Sequence, residues 1–142
     1  MSIREARDSD AEAIASLLGE LGYPSSADAV AERLAKMRAD GGQWTLVADA
    51  GEPARVVGMA TIVVRHVINN DAPFGRLASV VVAEGWRSRG VGAALLARTE
   101  EICRAAGCSA IEVTSADTRP RAHEFYRRLG FEERPRRFIK RL

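Results

Sequence analysis

The sequence predicts an α/β fold of the α+β type, in which several helices pack on one mixed sheet. Two observations carry this prediction. Apolar residues recur at helical spacing in several segments, and short runs rich in β-branched residues lie between them. The 142-residue chain is long enough to bury a core, and no repeat or linker divides it, so residues 1–142 are predicted to form one domain.

The first half of the chain predicts a strand, two helices and two more strands. Residues 3–7 alternate weakly in polarity and predict the first strand. The segment 9–12 has the Ser-x-x-Glu spacing of a capping box, which opens a helix that Gly22 ends. A second helix is predicted at 27–38, and strands are predicted at 43–48 and 56–67.

The second half predicts alternating strands and helices after a polar loop at 69–75. Pro120 suits the first turn of the last helix, and Gly130 ends that helix. The predicted elements are a strand at 76–83, a helix at 91–106, a strand at 109–114, the helix after Pro120, and one or two terminal strands at 131–142.

Composition and charge exclude several functional classes. The chain is 46% hydrophobic and 28% charged, and its net charge of +2 gives no electrostatic case for nucleic acid. No apolar run approaches the ~18 residues of a membrane span, and the N-terminus has no signal-like stretch. Two cysteines are too few for a metal site or disulfide framework, and Cys103 falls on an apolar helical stripe, which predicts a buried thiol. A cytoplasmic protein is expected.

The most informative segment is the loop Arg87-x-x-Gly90-x-Gly92 between an apolar strand and a helix. Backbone N–H groups at a helix start converge at the positive end of the helix dipole, so this loop predicts a phosphate or pyrophosphate site. It is not a Walker loop because no Gly-Lys-Ser/Thr follows, and Leu95 stands where a dinucleotide fingerprint needs Gly or Ala. The alternative is an ordinary strand-to-helix turn with solvated arginines.

A second segment, the run Phe125-Tyr126-x-x-x-Gly130-Phe131 with Ala122 before it, lies about 30 residues further on. Together the two segments resemble the coenzyme-binding core of the GNAT superfamily of N-acetyltransferases, and the resemblance extends over nearly the whole chain. It implies the element order β-α-α-β-β-β-α-β-α-β. It also implies acetyl-coenzyme A (acetyl-CoA) as acyl donor, an amine acceptor, no metal, and direct attack without a covalent acetyl-enzyme.

The resemblance also implies roles for individual residues. The loop would hold the pyrophosphate, and the strand before it would pair with the pantetheine arm through its backbone. Tyr126 would protonate the departing thiolate; the alternative is a core aromatic whose hydroxyl is hydrogen-bonded at the rim. The residues assigned to the coenzyme are Val80, Val81, Val82, Arg87, Ser88, Arg89, Gly90, Val91, Gly92, Ala93, Asp117 and Tyr126.

At the position of the general base, this sequence departs from the common family pattern. Many members carry Glu or Asp at the position of Ala78, and alanine cannot take a proton. Three explanations stay open: a water relay, a substitute side chain, or a substrate amine whose pKa is already low. The water could be ordered by Ser79, our candidate catalytic residue, or Ser115, and the substitutes are His66, Glu20 and Asp117.

The resemblance implies that residues 18–38 form one wall of the acceptor site. Glu20, Asp28 and Glu32 could attract a cationic amine there, although solvated helix faces explain them as well. The alternative function is a non-catalytic acyl-CoA binding domain, motivated by Ala78. A nucleic-acid binder is a weak third candidate, because the tryptophans are not interleaved with the arginines. Dimerisation is common in the family, so the resemblance also makes a homodimer a candidate assembly, with the C-terminal strands as its candidate interface.

Overall fold

The computed structural model describes residues 1–53, 55–114, 120–134 and 137–142. The elements in these ranges alternate between helices and strands, as the apolar periodicity predicts. They are β1 (Ser2–Glu5), α1 (Ala11–Leu21), α2 (Ala27–Asp40), β2 (Gln43–Asp49), β3 (Val56–Arg65), β4 (Phe74–Val82), α3 (Val91–Ala105), β5 (Ile111–Val113) and α4 (Pro120–Arg128). Two short 3-10 turns, Asp8–Asp10 and Glu84–Trp86, precede α1 and the loop before α3.

The five described strands form one sheet in chain order, β1-β2-β3-β4-β5. The pairs from β1 to β4 are antiparallel, and β4 pairs with β5 in parallel. The mixed α/β class predicted from the sequence is therefore confirmed. The parallel pair is the one whose connection contains α3, because parallel neighbours need a long crossover.

Two apolar clusters cover the two faces of the sheet. Successive strand residues point to opposite faces, so neighbours in β2 and β3 divide between the clusters. Ile14 and Leu17 of α1 and Val30 and Leu34 of α2 pack on one face with Val47, Met59 and Val81. Val91, Leu95 and Leu96 of α3 pack on the other face with Leu46, Ala60, Ile62 and Leu77.

A β-bulge interrupts β4 at Ala78. Thr61 of β3 pairs with Ser79, but the next residue of β3, Ile62, pairs with Leu77, so Ala78 has no partner in β3. A bulge places two consecutive side chains on the same face. Leu77 and Val80 thus remain on the α3 face, while Ala78 and Ser79 both face α1 and α2.

Several predicted bounds are corrected by the structure. The first strand occupies 2–5 rather than 3–7. The capping box at 9–12 does not form: Asp10 is the N-cap of α1, and its carboxylate instead accepts from the Arg7 N–H at 2.7 Å. β4 begins two residues earlier than predicted, at Phe74. Gly75 suggested a loop because glycine weakens strands, but a Cβ there would lie 2.9 Å from the Ala110 carbonyl, so close strand approach requires it.

The predicted terminal strands are the largest difference. Residues 131–134 and 137–142 contain no strand, and residues 135 and 136 lie outside the described part. Phe138 and Ile139 of this tail are exposed and pack on neither cluster, and Phe131 at its start packs beside Tyr126. Burial of one face is what fixes a strand in a sheet, and the described residues after Phe131 bury no such face.

Candidate active site

The pairing of β4 with β5 is short in the described part of the chain. It covers three positions of β4, from Gly75 to Leu77. The Ala83 N–H donates to the Val57 carbonyl at 2.8 Å, and inward and outward groups alternate along an antiparallel strand. The backbone groups of Val80 and Val82 therefore point away from β3, on the side where no described strand pairs with them. Val81 differs: its backbone faces β3 and its side chain is buried in the core.

The N-terminus of α3 lies a few residues beyond this edge and is not capped. Gly90 is the N-cap residue, with a left-handed φ of 82°, and the first helical hydrogen bond runs from the Ala94 N–H to the Gly90 carbonyl at 3.0 Å. The N–H groups of Val91, Gly92 and Ala93 therefore have no partner within the helix. No described side chain caps them, and no acidic residue lies in the first turn, so the helix dipole leaves a positive end.

The loop before α3 bends back through left-handed residues. Ser88 has a φ of 62°, the only positive φ of a non-glycine residue in the described chain, and Gly90 follows two residues later. A non-glycine residue in this region is strained, and such strain concentrates at binding sites. Successive N–H groups in a turn of this kind form a concave anion site. Ser88, Arg89 and Gly90 are all exposed, so the site is open to solvent.

The two predicted phosphate-binding arginines have different partners. Arg87 donates from Nε to the Val82 carbonyl at 3.1 Å, and its Nη2 lies 3.7 Å from the Glu20 carboxylate. The same Glu20 oxygen accepts from the Glu84 N–H at 2.9 Å. Arg89 lies over the ring of Trp86, 5.0 Å from its centroid, and no described carboxylate pairs with it. Thus Arg87 lies on the open edge of β4, and Arg89 is held beside the loop.

Tyr126 is fixed by the way α4 ends. The Phe131 N–H donates to the Tyr126 carbonyl at 3.0 Å, the Gly130 N–H donates to the Arg127 carbonyl at 3.1 Å, and Gly130 is left-handed. This is a Schellman motif, whose hydrophobic contact is the 5.5 Å edge-to-face pair of the Tyr126 and Phe131 rings. Sequence reasoning missed this role, although Gly130 and the apolar Phe131 after it were its signal.

The same helix contacts the start of α3. The Phe125 ring lies against Gly92, and a Cβ on Gly92 would be 3.0 Å from Phe125 Cζ. Phe125 also contacts Tyr126 edge-to-face at 5.5 Å. The two sequence segments that predict the site are therefore joined in space through this ring.

A cavity of about 380 Å³ lies between α1, α2 and β4, where the acceptor wall was predicted. Its wall at β4 is the bulge, with Ala78 and Ser79, and the Ser79 hydroxyl is 2.8 Å from that of Thr61. Most of the remaining wall is apolar. The other lining residues, from α1, α2 and the connection between them, are Ile14, Leu18, Leu21, Tyr23, Val30, Arg33, Leu34 and Met37.

The charge of this cavity differs from the sequence-based expectation. Glu20, Asp28 and Glu32 do not line it; Glu20 bonds Glu84 and Arg87 instead, and Glu32 pairs with Lys36 on the exposed face of α2. Among the described residues, the charged one that lines it is Arg33, which is exposed. Sequence reasoning missed Arg33 because one turn of a helix carries charges of both signs, and only packing shows which of them lines the cavity.

The other candidates for the base fall outside the cavity or the described chain. His66 is exposed just after β3 and does not line the cavity. Ser115 and Asp117 lie in 115–119, outside the described residues. Within the described part of the chain, no cluster of His, Cys, Asp and Glu could hold a metal ion, and no helix has the length and apolar character needed to cross a membrane.

Comparisons with known proteins agree with this geometry. The model of the acetyltransferase (GNAT) family matches residues 10–131. The chain is 36% identical over 138 residues to aminoglycoside N(6')-acetyltransferase type 1 of Stenotrophomonas maltophilia, covering 95% of this chain and 88% of that protein. It is 29% identical to the aminoalkylphosphonate N-acetyltransferase of Salmonella typhimurium, covering 99% and 90%.

Solved structures show the same fold. An acetyltransferase of Trypanosoma brucei superposes with a TM-score of 0.84 at 28% identity, covering 99% of both chains. The aminoglycoside N-acetyltransferase AAC(6')-Iy, solved in complex with CoA, superposes with a TM-score of 0.85 at 22% identity, covering 99% of this chain and 93% of that one. This fold, a mixed sheet followed by a helix with an uncapped N-terminus, is that of an acyl-group transferase. The chain belongs to the GNAT family of acetyltransferases, and the enzyme class predicted from the sequence, an N-acetyltransferase that uses acetyl-CoA, is confirmed.

Proposed function

We propose that this protein transfers the acetyl group of acetyl-CoA to a primary amine by direct attack, without a covalent acetyl-enzyme. The observation that carries the proposal is the open edge of β4 directly before the uncapped N-terminus of α3. An extended amide chain ending in a pyrophosphate matches these two features in order. Coenzyme A has this structure, because its pantetheine arm carries amides and its nucleotide carries the pyrophosphate.

The donor would be held mainly by backbone groups. The N–H and C=O groups of Val80 and Val82 that point away from β3 would pair with the pantetheine amides, as an added strand pairs with a sheet edge. The N–H groups from Arg89 to Ala93 would bind the pyrophosphate, with the side chains of Arg87 and Ser88 beside it. Val91 contributes only its N–H group, because its side chain is 2% exposed in the core.

Arg87 must move for this binding mode. Its guanidinium donates to the Val82 carbonyl, which is the group the pantetheine arm would use. The guanidinium is about half exposed, so rotation toward the loop costs little packing. Donor binding would exchange the Glu20 partner of Arg87 for the pyrophosphate, which carries more charge and accepts a bidentate contact.

In the reaction, the amine nitrogen attacks the thioester carbonyl carbon, and the carbon–sulfur bond then breaks. Tyr126 donates its proton to the departing thiolate and regains one from solvent. Three features support Tyr126: its place in the family motif, its half-buried position, and a ring held on two sides by Phe125 and Phe131. The proton lost by the amine leaves through water in the cavity.

Ser79 would order that water. Its hydroxyl bonds to Thr61 at 2.8 Å and faces the cavity beside Ala78, where many family members carry an acid. A hydroxyl held by one partner still offers a lone pair or a proton to a water molecule. The second candidate, a non-catalytic acyl-CoA binding domain, is supported by the lining itself, because no carboxylate of the described residues lines this cavity.

Calorimetric titration with acetyl-CoA tests the proposal, with dephospho-CoA and NAD as comparison ligands. We expect saturable binding that prefers acetyl-CoA, followed by thiol release when amines are added. Tyr126→Phe should lower kcat by about 10²-fold while leaving acetyl-CoA affinity within a few-fold. Binding without thiol release from any amine would favour the non-catalytic domain. Absence of binding by the folded protein would overturn both candidates.

A further inference from the structure

We propose that the acceptor is a small primary amine that also carries an anionic group, and that Arg33 binds this group. The inference rests on the proposed function and assigns the substrate class of the same site. It follows from the size, the polarity and the one charged side chain of the cavity between α1, α2 and β4.

The size of the cavity points to a small molecule. A volume of about 380 Å³ lies in the range of small-ligand pockets, roughly 300–1,000 Å³. Its inner wall is built from fully buried core residues: Ile14, Val30 and Leu34 are each at most 4% exposed. A cavity of this size with such a wall fits a small molecule that has an apolar body.

Arg33 lines this cavity with its charge unpaired. Its Nη1 donates to the Ser25 hydroxyl at 2.9 Å, and that hydroxyl donates in turn to the Tyr23 carbonyl at 3.0 Å. No described carboxylate forms an ion pair with Arg33, whereas Arg38 on the same helix pairs with Asp8. A guanidinium oriented by a hydroxyl retains further N–H donors, and its fork fits a carboxylate, phosphate or phosphonate.

The described residues that line the cavity include no carboxylate for a second cation. Its other polar lining residues, Tyr23 and Ser79, are neutral. An acceptor with several ammonium groups would face the charge of Arg33 without a carboxylate to compensate it, which is unfavourable in a partly apolar site. The lining therefore selects against a polycationic acceptor such as an aminoglycoside.

Two parts of the cavity wall could hold the two groups of such a substrate. Arg33 lies on α2, and the bulge residues Ala78 and Ser79 lie on β4, the strand proposed to hold the thioester. An acceptor bound by its anion at Arg33 would direct its other end toward β4. The amine would then be held by position, without a charged partner of its own.

Steady-state thiol release with matched amines tests the inference. The acceptors are 2-aminoethylphosphonate, β-alanine, the neutral n-propylamine and the aminoglycoside kanamycin, each measured after acetyl-CoA binding is verified by calorimetry. We expect kcat/KM to be at least tenfold higher for one of the two anionic amines than for n-propylamine and kanamycin. The two anionic acceptors distinguish phosphonate from carboxylate recognition.

Arg33→Gln and Lys36→Gln form the matched pair of variants. Both remove one positive charge from α2, but Lys36 does not line the cavity. Arg33→Gln should raise KM for the anionic amine by about 10-fold or more, leave that for n-propylamine unchanged, and leave acetyl-CoA affinity unchanged. Arg33→Lys should restore part of the affinity, and Lys36→Gln should have no effect.

Failure of this inference differs from failure of the proposed function. Equal or better turnover of kanamycin or n-propylamine, or an unchanged KM in Arg33→Gln, would overturn the acceptor class while the acetyltransferase stands. If no amine releases thiol, binding of the two anionic amines to the CoA-bound protein is measured by calorimetry. Saturable binding that is lost in Arg33→Gln would support the role of Arg33. Absence of binding would overturn that role. Absence of acetyl-CoA binding would instead overturn the proposed function.

Discussion

Gly92 of α3 and Phe125 of α4 are packed against each other so closely that a Cβ on Gly92 would lie 3.0 Å from Phe125 Cζ. A glycine at position 92 lets an anion approach the loop backbone, because no Cβ stands in the way. The structure shows a second reason for glycine at this position: it leaves room for the Phe125 ring of α4, which lies next to Tyr126. Gly90 has the conformational role instead, because its φ is positive and the space where a Cβ would lie is open.

Gly92→Ala is therefore expected to destabilise the fold by about 1 kcal/mol, because crowding against Phe125 exceeds the gain in helix propensity. The measurement is urea unfolding of Gly92→Ala, Phe125→Leu and the double variant. The shorter leucine should relieve the crowding, so the double variant should be more stable than the sum of the single effects by about 0.5 kcal/mol or more. Strict additivity would show that the two residues do not constrain each other.

Glu20→Gln should tighten acetyl-CoA binding about two- to fivefold. Glutamine keeps an oxygen that accepts from the Glu84 N–H, but it removes the charge that holds Arg87 on the open edge of β4. An exposed ion pair of this kind contributes at most about 1 kcal/mol, which limits the effect. Calorimetry at two salt concentrations measures it, with Glu101→Gln, an exposed pair on α3, as the control. Unchanged or weaker binding would show that Arg87 does not move.

Acid should weaken the junction of β1 with α1. Two hydrogen bonds from Arg4, at 2.8 and 3.0 Å, lower the pKa of the buried Asp10 carboxyl. A carboxyl with a lowered folded-state pKa contributes stability that is present above its unfolded pKa, about 3.9, and is lost as pH falls below it. Asp10→Asn should therefore be less stable than the parent by about 1–3 kcal/mol at pH 7.

The pH dependence distinguishes this effect from a packing defect. The difference between the parent and Asp10→Asn should shrink as pH falls from 5 toward the folded pKa of Asp10, because the parent carboxyl then becomes neutral as well. Unfolding by urea at several pH values measures it. A difference that stays constant down to acid would assign the loss to shape instead of charge.

Alkali should weaken the fold through Cys103. Burial, and secondarily the neighbouring Cys108, raises the pKa of the Cys103 thiol to about 11. The unfolded thiol ionises near 9.0, so the unfolded state loses a proton first and stability falls between about pH 9 and 11. Cys103→Ala should lack this part of the decline in unfolding measured against pH. Iodoacetamide at pH 8 should label Cys108 before Cys103, which is 2% exposed.

The elements of the fold are largely predictable from local pattern. α2 was expected to begin at Ala27, and it does so because Ser26 caps it: the Ser26 hydroxyl accepts from the Ala29 N–H at 3.1 Å. The burial of Cys103 also followed from helical spacing and is confirmed. These features depend on residues within a turn or two of each other, which a single sequence displays directly.

Features that depend on distant parts of the chain were not predictable. The bulge at Ala78 has no local signal, since alanine and serine fit either strand geometry, and it is visible only in the register with β3. The partners of Arg87 come from α1 and β4, and neither is suggested by the loop itself. The position of Arg33 at the cavity likewise depends on how α2 packs beside α1. These three features are determined by side-chain packing and by pairing between distant parts of the chain.

The bulge also bears on how this scaffold can change. In a regular strand, altering the wall of the cavity at two adjacent positions would place one of the new side chains in the core. Here Ala78 and Ser79 share a face, while Leu77 and Val80 keep the opposite face apolar. Substitutions at these two neighbouring positions can thus change the side chains of the cavity wall with little loss of folding stability. The choice of acceptor can therefore evolve while the core is maintained.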